Sequence, residues 1–150
     1  MSETLPETLF YPLHSPDKDR AICRVCQHYF EQRHTVFIYT RTDVHANALD
    51  SLLWTFRQES FIPHTVIDEF TYTIDCPVVI GTHDSNRFES QILINASDVS
   101  ANHINFYKSF KTIVDFADKS DDVEHHKSRE RYKLFKDLGF AMQLAESLPA

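Results

Sequence analysis

Apolar positions along the chain fall into short runs bounded by polar residues, and these runs alternate with longer stretches where apolar residues recur every three or four places. The first kind predicts strands and the second helices. Leu9-Phe10-Tyr11-Pro12-Leu13 opens the series as a strand, with Pro12 pointing to its end or to an edge position. Ser15-Pro16 offers a hydroxyl cap and a proline suited to a first helical turn. Ile22, Cys23, Cys26, Tyr29 and Phe30 then share one helical face. Thr35-Val36-Phe37-Ile38-Tyr39-Thr40 is rich in β-branched and aromatic side chains and predicts a second strand. Asp43 is a candidate cap for a second helix, whose stripe is Val44, Ala48, Leu49, Leu52, Leu53 and Phe56.

Pro77-Val78-Val79-Ile80 and Gln91-Ile92-Leu93-Ile94-Asn95 predict two more buried strands. A helix around Ala101 to Phe110 precedes a fifth strand, Thr112-Ile113-Val114-Asp115-Phe116. The last helix starts near Asp121, with Glu124 as its capping-box partner, and Gly139 stands where it would end. Strands separated by helices pair in parallel, and strands apolar on both faces need cover on both sides. The expected fold is therefore α/β: a single-domain three-layer α/β/α sandwich over residues 1–150, with a mostly parallel, about five-stranded sheet. Residues 1–8 are expected to form a flexible N-terminus and 141–150 a C-terminal tail. No repeat or low-complexity linker divides the chain.

Composition narrows the function. Hydrophobic residues at 42% and charged residues at 25% match a globular domain, and the longest apolar runs are too short to span a bilayer. Met1 to Glu7 lacks the basic start and apolar stretch of a signal peptide, so a cytoplasmic location is expected. A net charge of −7 argues against a broad nucleic-acid surface. The charge is uneven, however. From Lys127 to Lys136, five basic residues (Lys127, Arg129, Arg131, Lys133, Lys136) stand against Glu130, an excess of +4 that leaves −11 elsewhere. A compact basic patch on an acidic protein suits a small anionic partner.

Enzymatic and metal chemistry find little support. Phosphate cradles need glycines before a helix, but the chain has only Gly81 and Gly139, and the first strand-to-helix turn, His14-Ser15-Pro16-Asp17, has none. Cys23-x-x-Cys26 followed by His28 resembles half a zinc site, yet no second pair exists and both cysteines lie on the apolar helix face, where they pack as small hydrophobes. The nine histidines are scattered. His125 and His126 are adjacent and diverge on a helix, so His125 can share a face with Arg129 while His126 points elsewhere. No catalytic residues, metal or cofactor are expected.

Four segments, in order and at matching spacing over about Leu9 to Phe140, together resemble the chi subunit family of bacterial DNA polymerase III. They are Leu49-Asp50-Ser51-Leu52-Leu53-Trp54, Glu59-Ser60-Phe61-Ile62-Pro63-His64, Ile113-Val114-Asp115-Phe116, and Arg129-Glu130-Arg131-Tyr132-Lys133 continuing to Gly139-Phe140. The resemblance implies a non-catalytic replisome adaptor associated with the clamp-loader complex. It implies capture of the acidic C-terminal tail of single-stranded-DNA-binding protein, binding of the psi subunit, and in some members an iron–sulfur DNA-repair helicase on an overlapping surface. DNA would be contacted only indirectly. The implied tail site is Arg129, Tyr132, Lys133 and His125.

The spacing agrees with that site: Arg129 and Lys133 are one helical turn apart and can flank one anion, while Tyr132 can wall an apolar pocket. Phe61 is the implied contact for psi or the helicase, with Trp54 in the core or at the interface margin. The acidic loop Asp118-Lys119-Ser120-Asp121-Asp122, and His125 where the resembling helix carries lysine, both lower the attraction for an acidic tail. The alternative reading is a small α/β nucleotide-binding domain or enzyme with an atypical loop.

Overall fold

A computed structural model describes residues 5–59 and 61–149. Seven parallel strands form one sheet in the order β3-β4-β2-β5-β6-β1-β7. In chain order the elements are β1 (Glu7–Leu13), α1 (Lys18–Glu31), β2 (Val36–Thr40), α2 (Asp43–Thr55), β3 (His64–Val66), β4 (Val78–Gly81) and β5 (Ile92–Ala96). A 3-10 turn at Ala101–His103 leads into α3 (Ile104–Lys108), followed by β6 (Thr112–Asp118), α4 (Asp122–Asp137) and β7 (Ala141–Leu144). The α/β class and parallel pairing agree with the sequence, but the sheet has two strands more than expected.

Both additional strands are short edge strands. β3 has three residues, and β7 has mostly exposed residues, so neither carries the apolar run that marked the others. β7 occupies the start of the expected C-terminal tail. Of the expected N-terminal flexible stretch, Glu7 and Thr8 belong to β1, and positions 1–4 lie outside the described residues, as does Ser60.

Alternation along the strands divides the core into two layers. Tyr11, Ile38, Ile80, Ile94 and Phe116 face α1 and α2, whereas Phe10, Phe37, Val79, Leu93 and Ile113 face Phe106, Tyr107, Phe135 and Phe140. Cys23 and Cys26 lie in the first layer, where burial pushes the Cys23 thiol up to about 12 and raises that of Cys26 as well. These are packed, unreactive thiols.

Helix starts differ in detail from expectation. Asp17, not Ser15, caps α1, and Thr42, not Asp43, caps α2 by accepting from the His45 amide. Val44 and Ala48 of the expected stripe are exposed, and Ala46, Leu49 and Leu53 are the buried face of α2. A strictly helical count places Ala46 three residues before Leu49, which the longer apolar side chains of the stripe obscured. Asp121 caps α4 by accepting from the Glu124 amide at 2.8 Å, as expected.

Gly139 follows α4 with φ at +93°, the left-handed turn that lets the chain drop into β7. A Cβ there would meet nothing within 4 Å, so only backbone strain opposes a side chain. Gly139→Ala should therefore cost about 1–2 kcal/mol, seen as a lower urea midpoint with an unchanged slope.

Candidate functional site

α4 is held to the sheet from one side and open on the other. Ser128, Arg131 and Phe135 are its buried residues, three and four apart along one face. Arg131 reaches inward. Its Nε donates to both carboxylate oxygens of Asp115 at 3.0 and 3.2 Å, and its terminal nitrogen donates to the Phe116 carbonyl at 3.4 Å. Asn95 donates to the same carboxylate at 2.9 Å. Burial opposes the Arg131 charge, but the adjacent Asp115 carboxylate outweighs it and holds the guanidinium pKa above its ordinary value. Arg131 is thus an internal clamp, and its charge must be subtracted from the surface patch that the sequence suggests. Periodicity alone offers a signal for this: Arg131 falls between Ser128 and Phe135 on the inward row.

Turning α4 by this clamp exposes Arg129 and Lys133, and leaves Tyr132 and His125 half-buried. The four expected tail-site residues do not line a single cleft. Arg129 and Tyr132 form a ridge between two. On the inner side, a cleft of about 370 Å³ lies between α4 and the β1–β7 side of the sheet, lined by Phe10, Pro12, Lys119, His125, Arg129, Tyr132 and Leu144. On the outer side, Lys133 and Lys136 join Arg129, Tyr132, His126 and Glu130 around a broader concavity. The division follows from helix geometry, since 100° per residue separates His125 from Lys133 by about 80° around the axis.

Tyr132 packs edge-on against Phe10, with ring centroids 5.2 Å apart. Neither Arg129 nor Lys133 has an ion-pair partner among the described residues, whereas His126 pairs with Glu130 at 3.0 Å and Lys127 with Glu124 at 3.6 Å.

The acidic loop before α4 is less repulsive than its composition suggests. The Asp118 carboxylate turns inward and accepts from the Ser120 amide and hydroxyl at 3.0 and 2.6 Å. Asp121 is occupied as the helix cap. The loop residue that lines the inner cleft is the cation Lys119, which sequence reasoning missed together with Phe10 and Leu144. Their convergence requires β1, β6 and β7 to lie side by side, and no local motif encodes that.

At the opposite edge of the sheet, Phe61 is 68% exposed and Trp54 48% exposed, with ring centroids 5.6 Å apart. Trp54 is accordingly at the surface rather than in the core. Phe61 also lines a surface concavity with Phe30, Arg57, Glu59 and Ile62. Among the described residues, no group of three or more His, Cys, Asp or Glu is placed to hold a metal ion. Likewise no helix there is long and apolar enough to cross a membrane.

The family model described as "DNA polymerase III chi subunit, HolC" matches residues 5–143. A DNA polymerase III subunit chi of Pseudomonas aeruginosa is 23% identical over 138 residues, covering 89% of this chain and 92% of that protein. The subunit chi of Escherichia coli K12 is 27% identical over 130 residues, covering 85% of this chain and 84% of that one.

Proposed function

Because this chain belongs to the DNA polymerase III chi subunit family, an accessory part of the replisome and not its catalytic chain, we propose that it is an adaptor that captures the acidic C-terminal tail of single-stranded-DNA-binding protein on α4. The observation that carries this reading is the inner cleft. Its floor and walls are apolar (Phe10, Pro12, Tyr132, Leu144), and at its rim stand Arg129 and Lys119, cations without an ion-pair partner among the described residues. A peptide ending in an aromatic residue and a free carboxylate is complementary to that combination. The ring enters the apolar part, the guanidinium takes the carboxylate bidentately, and Lys133 and Lys136 on the outer side attract preceding aspartates.

The Phe61–Trp54 surface is the second part of the reading. A half-exposed aromatic pair beside a concavity has the character of a binding hot spot, and we assign it to the psi subunit of the clamp-loader complex, or to an iron–sulfur DNA-repair helicase using the same surface. β3 and β7 are the two edges of the sheet, six strand spacings apart, or about 30 Å at roughly 4.8 Å per spacing. The two surfaces also sit beside helices on opposite faces, so occupation of one leaves the other free. An adaptor needs that separation.

Fluorescence titration with a labelled acidic peptide ending in proline-phenylalanine tests the tail site. Arg129→Ala should weaken binding by about 1.5–3 kcal/mol, the scale of a charged hydrogen bond, or roughly tenfold to a hundredfold. Affinity should also fall with added salt. Equal affinity of the wild type and Arg129→Ala would refute the assignment.

A further inference from the structure

The exposed Trp54–Phe61 pair rests on a histidine whose two ring nitrogens both face acceptors. The His64 side chain has no solvent exposure. Its Nδ1 is 2.6 Å from the Ile62 carbonyl oxygen, and its Nε2 is 3.0 Å from the Asp50 carbonyl oxygen. A backbone carbonyl cannot donate, and a neutral imidazole carries one N–H and one lone pair. A neutral ring would therefore set a lone pair against a carbonyl lone pair in a buried site. Only the imidazolium satisfies both contacts, and the Asp50 carboxylate, 3.2 Å from Nε2, supplies the matching negative charge. Trp54 packs against this ring at a tilt of 43° with centroids 4.1 Å apart, close enough for a cation–π contact.

We propose that His64 is the positioning residue of the aromatic surface: as an imidazolium held through both ring nitrogens it clamps Trp54, and through Trp54 the exposed Phe61. Two elements pack on β3 around His64. From α2 the facing groups are Asp50 and Trp54, and from β4 the register partner is the apolar Val78. Asp50 is thus the one charged group set against the ring among the described residues. Asp50 and Trp54 are one turn apart on α2, so the same helix supplies both the countercharge and the aromatic partner.

The clamp stands on this geometry alone, whereas its effect on a partner rests on the reading of Phe61 as a docking residue. Nitrogen-15 spectra of the histidine rings in the full chain, at neutral pH, should show both His64 nitrogens protonated. A pattern of one protonated and one bare nitrogen overturns the proposal. Trp54 is the sole tryptophan, so intrinsic fluorescence reads the same contact. Contact with an imidazolium quenches it, and emission should rise in His64→Gln.

Emission unchanged in His64→Gln overturns the proposal. Asp50→Asn, which keeps both carbonyl acceptors and perturbs the fold less, should shift the His64 nitrogen signals toward the singly protonated pattern. Signals unmoved in Asp50→Asn also overturn the proposal. Binding of the organism's psi subunit should weaken in His64→Gln. Complete absence of psi binding with the spectra as expected would remove the docking reading and leave the clamp standing.

Discussion

Replacing Asp115 with alanine should destabilise the protein by about 3–5 kcal/mol, the cost of stranding a buried charge. The Asp115 carboxylate is fully buried and takes both Arg131 contacts and the Asn95 amide. Without it, Arg131 retains only the Phe116 carbonyl at 3.4 Å. The guanidinium must then remain unpaired inside the protein or swing outward and loosen α4 from β6. Urea unfolding followed by circular dichroism measures the loss.

The same variant separates two views of the patch. If Arg131 belonged to the docking surface, freeing it from Asp115 would strengthen acidic-peptide binding. If it is the clamp described above, binding falls together with helix order. The double replacement Asp115→Leu with Arg131→Met removes both charges and should recover most of the stability, because a buried pair is often no better than well-packed apolar side chains. A loss below about 1 kcal/mol for Asp115→Ala would show that the pair does not hold α4.

Phe135→Ala should cost a further independent 3–5 kcal/mol, the range for deleting a buried aromatic ring. The ring is fully buried between Tyr107 at 5.2 Å, Phe140 at 6.1 Å and Phe10 at 6.3 Å. Truncation leaves a cavity where α4 meets α3 and the sheet, one turn beyond Arg131. Phe10 also supports Tyr132 of the proposed tail site. Peptide affinity should therefore fall in Phe135→Ala even though the residue is far too buried to touch a ligand. Phe135→Leu refills most of the space and should restore both stability and affinity. Equal peptide affinity in Phe135→Ala and the wild type would show that the ring under Tyr132 does not shape the cleft.

The five inner strands were legible in the sequence because each buries side chains on both faces, so its apolar run is continuous, as in Val78-Val79-Ile80 and Ile92-Leu93-Ile94. α4 was legible from its cap at Asp121 and its terminator at Gly139. The edge strands were not. A strand such as Ala141–Leu144, paired on one side only and largely exposed, is defined by the hydrogen bonds it makes to β1 and not by its own side chains.

The candidate sites divide along the same line. Arg129, Tyr132 and Lys133 were visible as a charged, aromatic helical turn, and Phe61 only through the family resemblance of the segment Glu59 to His64. Arg131 carries the same charge as Arg129 two residues away, and composition could not separate clamp from surface. That required knowing that Asp115 and Asn95 lie beneath the helix on neighbouring strands.

Basic residues on one helix, an acidic remainder and the parallel α/β class were thus determined by the sequence itself, because each follows from residue type and spacing within one segment. The inner cleft, the inward Arg131 and the doubly bonded His64 were decided by tertiary structure alone. Each joins groups from segments far apart in the chain or depends on burial, and only the folded arrangement sets which charges face water and which face one another.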